Sequence, residues 1–220
     1  MKTLLFLAIF AVAVGSVASP LMAQSAAGSP RKTSTPYTGD LTIFDSAGRE
    51  DRLQIVRVMN ILKIAPGSFV ADIGAGSGWF TVRSSKRVGS HGKVYAEDIN
   101  PEAITYIQNR VAKEGLGNVH TILGKSDDPL LPAGKMNAVL LLKTYHEVSQ
   151  PVVLLRNLQP ALRPGARVGV IDRTGDGADH GVQKDVVLRE MKQAGYRLLE
   201  EHDDLVKGDK MDYFLVFVAE

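Results

Sequence analysis

The chain has 220 residues, 45% of them hydrophobic, 23% charged and 6% aromatic, which excludes a disordered or fibrous protein and leaves room for one domain with a buried core. Lys and Arg total 26 against 24 Asp and Glu, a net charge of +2; that near balance argues against nucleic-acid binding through a broad basic field. The absence of cysteine removes disulfides, thiolate metal sites, a cysteine nucleophile and a lipoprotein-type anchor.

Residues 1–23 set Lys2 before an unbroken apolar run from Leu4 to Val14, then Gly15, Ser16 and Pro20, then Ala23. This is the layout of a secretory signal peptide, its apolar core shorter than the roughly 20 residues of a membrane span. The expectation is export, to the periplasm, with cleavage near Ala23, or a membrane tether if the segment is uncleaved. Residues 24–40 are small and polar, rich in Ser, Thr and Pro, and read as a flexible linker. Residues 41–220 read as one domain, with no internal repeat.

Within residues 49–63, Leu53, Val56, Met59, Ile61 and Leu62 recur near helical spacing, and Ala65-Pro66-Gly67 ends that helix. Ser68–Ile73 is a short apolar strand, Gly74–Gly78 a glycine-rich turn and Trp79–Val88 a helix. A strand at Lys93–Asp98 and a helix at Pro101–Glu114 follow, the proline near the first turn. Val119–Leu123 and Ala138–Leu142 are further strands, the second apolar on both faces as a buried parallel strand is. Ser149 is placed to cap a helix through Val152–Leu162, which Arg163-Pro164-Gly165 stops. Arg167–Asp172 is the next strand and Gln183–Ala194 a helix closed by Gly195. Tyr196–Glu201 and Tyr213–Ala219 follow with no helix between them, so they are expected to pair antiparallel. The alternation predicts an α/β fold with a mostly parallel sheet covered by helices on both faces. The loops after Ile73, Asp98, Leu123, Leu142 and Asp172 then converge on one crevice at the carboxyl ends of the strands.

The sharpest local signal is Asp72-Ile73-Gly74-Ala75-Gly76-Ser77-Gly78 between a strand and a helix. Alternate glycines let the backbone turn sharply and come close to a ligand. The dinucleotide fingerprint G-x-G-x-x-G demands glycine at position 79, where the chain has its only tryptophan, Trp79. Asp72 would also oppose a pyrophosphate received at the helix N-terminus. A carboxylate there suits a positively charged ligand, and S-adenosylmethionine carries a sulfonium and an ammonium. Asp98, at the end of the second strand, is placed to accept both hydroxyls of a ribose, with Ile99 beside it and Glu97 on the opposite face as the lesser partner. After the third strand, Asp127 and the amide of Ser126 are candidates for an adenine amine and ring nitrogen.

These residues resemble the class I S-adenosylmethionine-dependent methyltransferases, from about Asp45 to Ala219. The resemblance rests on Val70–Gly78, on the acidic Tyr95–Pro101, on Ser126–Pro132, on the turn Leu162–Arg167 before the fifth strand, and on the closing strand pair. It implies a Rossmann-like three-layer sandwich with a seven-stranded sheet, mostly parallel with an antiparallel last strand. It also implies the cofactor S-adenosyl-L-methionine, held by Asp72, Gly74, Ala75, Gly76, Gly78, Asp98, Ile99, Ser126 and Asp127. The stretch Leu142–Glu147 is similar to a bacterial subgroup of predicted methyltransferases, with Lys143 standing where that subgroup commonly has an acid.

Methyl transfer from a sulfonium mainly needs alignment of the nucleophile, and a base only where the acceptor must lose a proton. His146, after the fourth strand, is the candidate base, and Tyr145 a residue that stacks on acceptor or adenine. Asp172 and Arg173 are candidates for orienting an acceptor, and His180 sits in a glycine-rich loop. His91, His120 and His202 have no supporting context. The signature of amino-methylating DNA enzymes and the Asp-rich arrangement of catechol-type enzymes are both missing. The expected protein is therefore a metal-independent enzyme on a small-molecule methyl acceptor, an oxygen acceptor favoured, with no nucleic-acid partner and no membrane association after signal cleavage. The competing expectation is an exported, non-catalytic nucleoside- or metabolite-binding relative, because the cofactor is made in the cytoplasm.

Overall fold

The computed structural model describes residues 30–220; the expected signal peptide, its cleavage point and residues 24–29 lie outside the described residues. Among the described residues no helix is long and apolar enough to cross a membrane.

Seven strands form one sheet: β1 Phe69–Ile73, β2 Lys93–Asp98, β3 Val119–Leu123, β4 Met136–Leu142, β5 Leu162–Asp172, β6 Tyr196–Glu201 and β7 Tyr213–Ala219. Their order is β3-β2-β1-β4-β5-β7-β6. β1 pairs in parallel with both β2 and β4, while β7 runs antiparallel to both β5 and β6. The chain thus reverses its direction of travel across the sheet between β1 and β4, where an α/β sheet opens a crevice.

The helices are α1 Arg49–Arg52, α2 Ile55–Ile61, α3 Trp79–Val88, α4 Pro101–Lys113, α5 Pro151–Leu158, α6 Lys184–Gln193 and α7 Asp203–Val206. One apolar core gathers Leu155, Leu158, Val187 and Met191 against the sheet. A second gathers Leu53, Val58, Phe80 and Val206. β4 is buried by both, so its near-continuous apolar run follows from its position.

Four details differ from the sequence expectation. The helix expected over 49–63 is broken at Gln54, whose φ of 48° leaves the helical region while its side-chain amide donates to Leu205 O at 3.1 Å. The helix expected from Val152 starts at Pro151, and Ser149 does not cap it. The turn Arg163–Ala166 lies inside β5 as an irregularity, because Leu162 already pairs with Met136 before Arg167 pairs with Ala138. A single helical turn, α7, separates β6 from β7, too short to make a crossover.

Residues 30–40 also depart from the expected linker. Arg31 donates its backbone N–H to Ser149 O at 2.8 Å and its guanidinium to the carbonyls of Tyr145 and Val148 at 2.6 and 2.8 Å. These bonds tie the segment across the carboxyl end of β4, and Ser34 within it is buried. Tertiary capture by one arginine outweighs a composition that reads as loop.

Candidate functional site

The carboxyl ends of β1, β2 and β4 open into a cavity of about 400 Å³. Its floor is the glycine loop. Gly74, Gly76 and Gly78 all have positive φ, at 66°, 55° and 72°. At Gly74 the requirement is double, because a Cβ would run into the side chain of Thr144. Thr144 in turn donates its hydroxyl to Gly74 O at 3.2 Å, clasping the end of β1 to the end of β4. Trp79 replaces the missing third glycine as a packed wall, its ring between the guanidinium groups of Arg49 and Arg83, at 4.5 and 3.9 Å from the centroid.

Three carboxylates stand around that floor. Asp98 accepts the Gly76 N–H at 2.8 Å and the Asn100 N–H at 2.9 Å, one on each oxygen. Asp72 is buried and accepts the Thr81 hydroxyl at 2.6 Å. Burial, with the Asp98 charge adding to it against the Thr81 bond and the Arg49 charge, pushes the Asp72 carboxyl up to about 7. Glu97 is also buried, with the Gly74 N–H at 3.4 Å. Burial and the neighbouring Asp98 charge push it up to about 8. Among the described residues no ion pair holds any of the three.

This concentration of buried, poorly compensated acid has a consequence for stability. Asp72 and Glu97 hold their protons longer in the folded chain than in the unfolded one, so the folded state binds more protons between about pH 4 and pH 8. The ligand-free protein is therefore expected to lose stability as pH rises through 7 and 8. Thermal denaturation from about pH 5 to about pH 9 checks this, and the double variant Asp72→Asn, Glu97→Gln should flatten the slope. An unchanged slope in that variant contradicts the assignment.

Of the residues singled out from sequence, Asp72, Gly74, Ala75, Gly76, Asp98, Ile99, Ser126 and His146 line this cavity. Gly78 stands behind it as the cap of α3, where its φ starts the helix. Asp127 does not reach the cavity; its carbonyl is taken by the Asn157 side chain at 2.8 Å, and Lys125 bridges to Asp128 to close the turn. Tyr145 is a correction. It is fully buried in the core under α6, its hydroxyl donating to Glu190 Oε2 at 3.0 Å and its ring facing Arg31. Successive residues of a tight helical turn point in different directions, so Tyr145 and His146 cannot both face the crevice. Tyr145→Phe should cost about 1 kcal/mol of stability, one hydrogen bond, and leave ligand affinity unchanged. Parallel denaturation and calorimetry check it.

Sequence reasoning undervalued Glu97. Strand alternation puts it opposite Asp98, yet at the end of β2 it turns into the wall beside Gly124, where any Cβ would meet its carboxylate. The glycine at 124 was the available signal.

His146 is buried at the cavity's edge. Its Nδ1 lies 2.9 and 3.0 Å from the two oxygens of Asp172, and its backbone N–H donates to Oδ2 at 3.0 Å. Burial pulls the ring's pKa down, but the bonds to Asp172 and the nearby Glu147 carboxylate outweigh it and hold it at about 9. With no ligand bound the ring favours its protonated form at neutrality. Asp172 therefore acts on His146 and not on an acceptor, while Arg173 lines the cavity itself. Lys143, at φ 57°, also lines it; burial and the Arg49 charge depress its pKa.

A family model described as a methyltransferase domain matches residues 70–165. The ubiquinone/menaquinone biosynthesis C-methyltransferase of Marinomonas sp. (strain MWYL1) is 24% identical over 151 residues, covering 68% of this chain and 58% of that protein. The chain spans about half the length of the curated relatives it matches. Among solved structures, a methyltransferase dependent on S-adenosylmethionine from Aquifex aeolicus superposes with a TM-score of 0.72 at 24% identity, covering 80% of this chain and 95% of the other. Fibrillarin from Aeropyrum pernix, solved with natively bound S-adenosylmethionine, superposes at 0.54 with 16% identity over 70% of this chain and 68% of its own. By its domain match over residues 70–165 and by its fold, the chain is similar to the S-adenosylmethionine-dependent methyltransferases, and S-adenosyl-L-methionine is the cofactor that fits its acidic, glycine-floored pocket.

Proposed function

We propose that the protein moves the methyl group of S-adenosylmethionine to a small-molecule acceptor through an oxygen nucleophile. The observation that carries this reading is the pair of carboxylates at the strand ends, Asp72 and Asp98, beside a floor of positive-φ glycines, with no side-chain ion pair to neutralise them among the described residues. Such a wall favours a cationic nucleoside and disfavours a diphosphate.

When bound, S-adenosylmethionine supplies a methyl group already activated on a cationic sulfur. The chain's residues then have positioning tasks. Asp98 holds the ribose hydroxyls, and the amide of Ser126 faces the adenine. Gly74 and Gly76 admit the ligand against the backbone, and Asp72 favours its positive charge. Thr144 fixes the β4 end against the loop. The acceptor side of the cavity is edged by His146, Arg173 and Lys143, donors and cations that suit an acceptor oxygen bearing negative charge.

The test is release of S-adenosylhomocysteine from S-adenosylmethionine with a panel of phenols, carboxylates, amines and thiols. Turnover concentrated in the oxygen acceptors is expected. Turnover confined to amines or thiols would refute the oxygen assignment, and cofactor binding with no turnover on the whole panel would refute catalysis.

A further inference from the structure

His146, Glu147 and His180 come together at the mouth of the cavity, although His180 arrives on a different loop. Their ligand atoms all lie within 4.8 Å of one another. His146 Nε2 is 3.7 Å from Glu147 Oε1, and His180 Nδ1 is 3.8 Å from the same oxygen. The two rings meet edge to face at 5.8 Å. Donors around a tetrahedral zinc ion stand about 3.4 Å apart, since each lies about 2.1 Å from the metal. The cluster is thus a few tenths of an ångström wider than a filled site along both glutamate edges. We propose that His146, Glu147 and His180 bind a divalent transition-metal ion of the zinc type.

Three further features support it. Asp172 grips the Nδ1 edge of His146, which leaves Nε2 as the coordinating nitrogen and fixes the ring plane, the arrangement that supports metal-bound histidines. The His180 loop is closed by its own bonds, Gly177 N–H to Gly181 O at 2.9 Å and Val182 N–H to Arg173 O at 2.8 Å, so the ligand is presented by a folded turn. The donor set is two imidazoles and one carboxylate. That set suits zinc, manganese, iron or cobalt, and offers too few oxygens for calcium or magnesium. Arg173 is the nearby opposing charge, and Asp179 lies 3.7 Å from its guanidinium.

Three protein ligands leave coordination positions open. All three residues line the same cavity as Asp72 and Asp98, and His180 and Glu147 are both partly exposed there. An ion in this position would hold a hydroxyl or carboxylate oxygen of the acceptor. The metal site stands on its own geometry; only its use for the acceptor rests on the methyltransferase reading, and it replaces the metal-independent chemistry expected from sequence.

The experiment is titration of untagged protein with Zn²⁺ against a chromophoric chelator, with Co²⁺ absorption as a second readout. One equivalent should bind, with the visible bands of a low-coordinate Co²⁺ site. His180→Ala, on a surface loop, and Glu147→Gln should each weaken binding by more than about tenfold, at least the loss that an outer-shell partner brings. His91→Ala, distant from the cluster, should bind as the parent does. No stoichiometric ion, or equal binding by the parent and His180→Ala, overturns the proposal. S-Adenosylhomocysteine affinity measured on the same samples keeps the two readings separable: its loss sinks the cofactor assignment and leaves the metal result standing.

Discussion

Gly74→Ala is expected to abolish cofactor binding and to lower stability by roughly 2–5 kcal/mol. A left-handed backbone costs a residue with a Cβ roughly 1–2 kcal/mol, and forcing atoms into a packed site adds about 1–3 kcal/mol. Both apply here, because φ is 66° and the new methyl would meet Thr144. Thermal denaturation and calorimetry with S-adenosylhomocysteine read the two effects. Adding Thr144→Ala removes the collision while leaving the backbone strain, so the double variant should recover part of the stability. A single variant that binds and melts like the parent contradicts the account of the loop.

The second large effect is expected at Asp98. Each hydrogen bond to a charged group contributes roughly 1.5–3 kcal/mol, and 1.4 kcal/mol is about a tenfold change in affinity. Asp98→Ala removes the acceptor proposed for the ribose and releases the Gly76 amide it holds. Affinity for S-adenosylhomocysteine should fall by at least about tenfold. Glu97→Gln is the comparison: it keeps the side-chain volume beside Gly124 and removes only the ionisable proton. It should bind nearly as the parent does. Equal losses in the two variants remove Asp98 from the ribose role.

What was readable in the sequence is what depends on short-range chemistry. Alternate glycines after an apolar strand, a carboxylate ending the next strand, and two closing strands without a crossover helix each act within a few residues. Together they place β1, β2 and the antiparallel edge. The fold's apolar β4 was legible for the same reason, since burial on both faces needs an uninterrupted run.

The misplacements share another cause. Arg31 acts on carbonyls far along the chain, so residues 30–40 read as a linker while packing across the site. Tyr145 and His146 are neighbours, and nothing in their order says which enters the crevice; Glu190 and Asp172, both distant in sequence, decide it. Glu97 sits on the face opposite Asp98, and only the space left by Gly124, far along the chain, lets its carboxylate lie buried at the cavity wall. His180 joins Glu147 only because the β5 loop folds back.

The central claim is that the crevice between β1 and β4 is built for a cationic sulfur nucleoside and not for a diphosphate. Calorimetric titration of one protein sample with S-adenosylmethionine, S-adenosylhomocysteine and NAD tests it most directly. One-to-one binding of both sulfur compounds with no heat from NAD is the predicted result. Binding of NAD together with silence from the two sulfur compounds would contradict it.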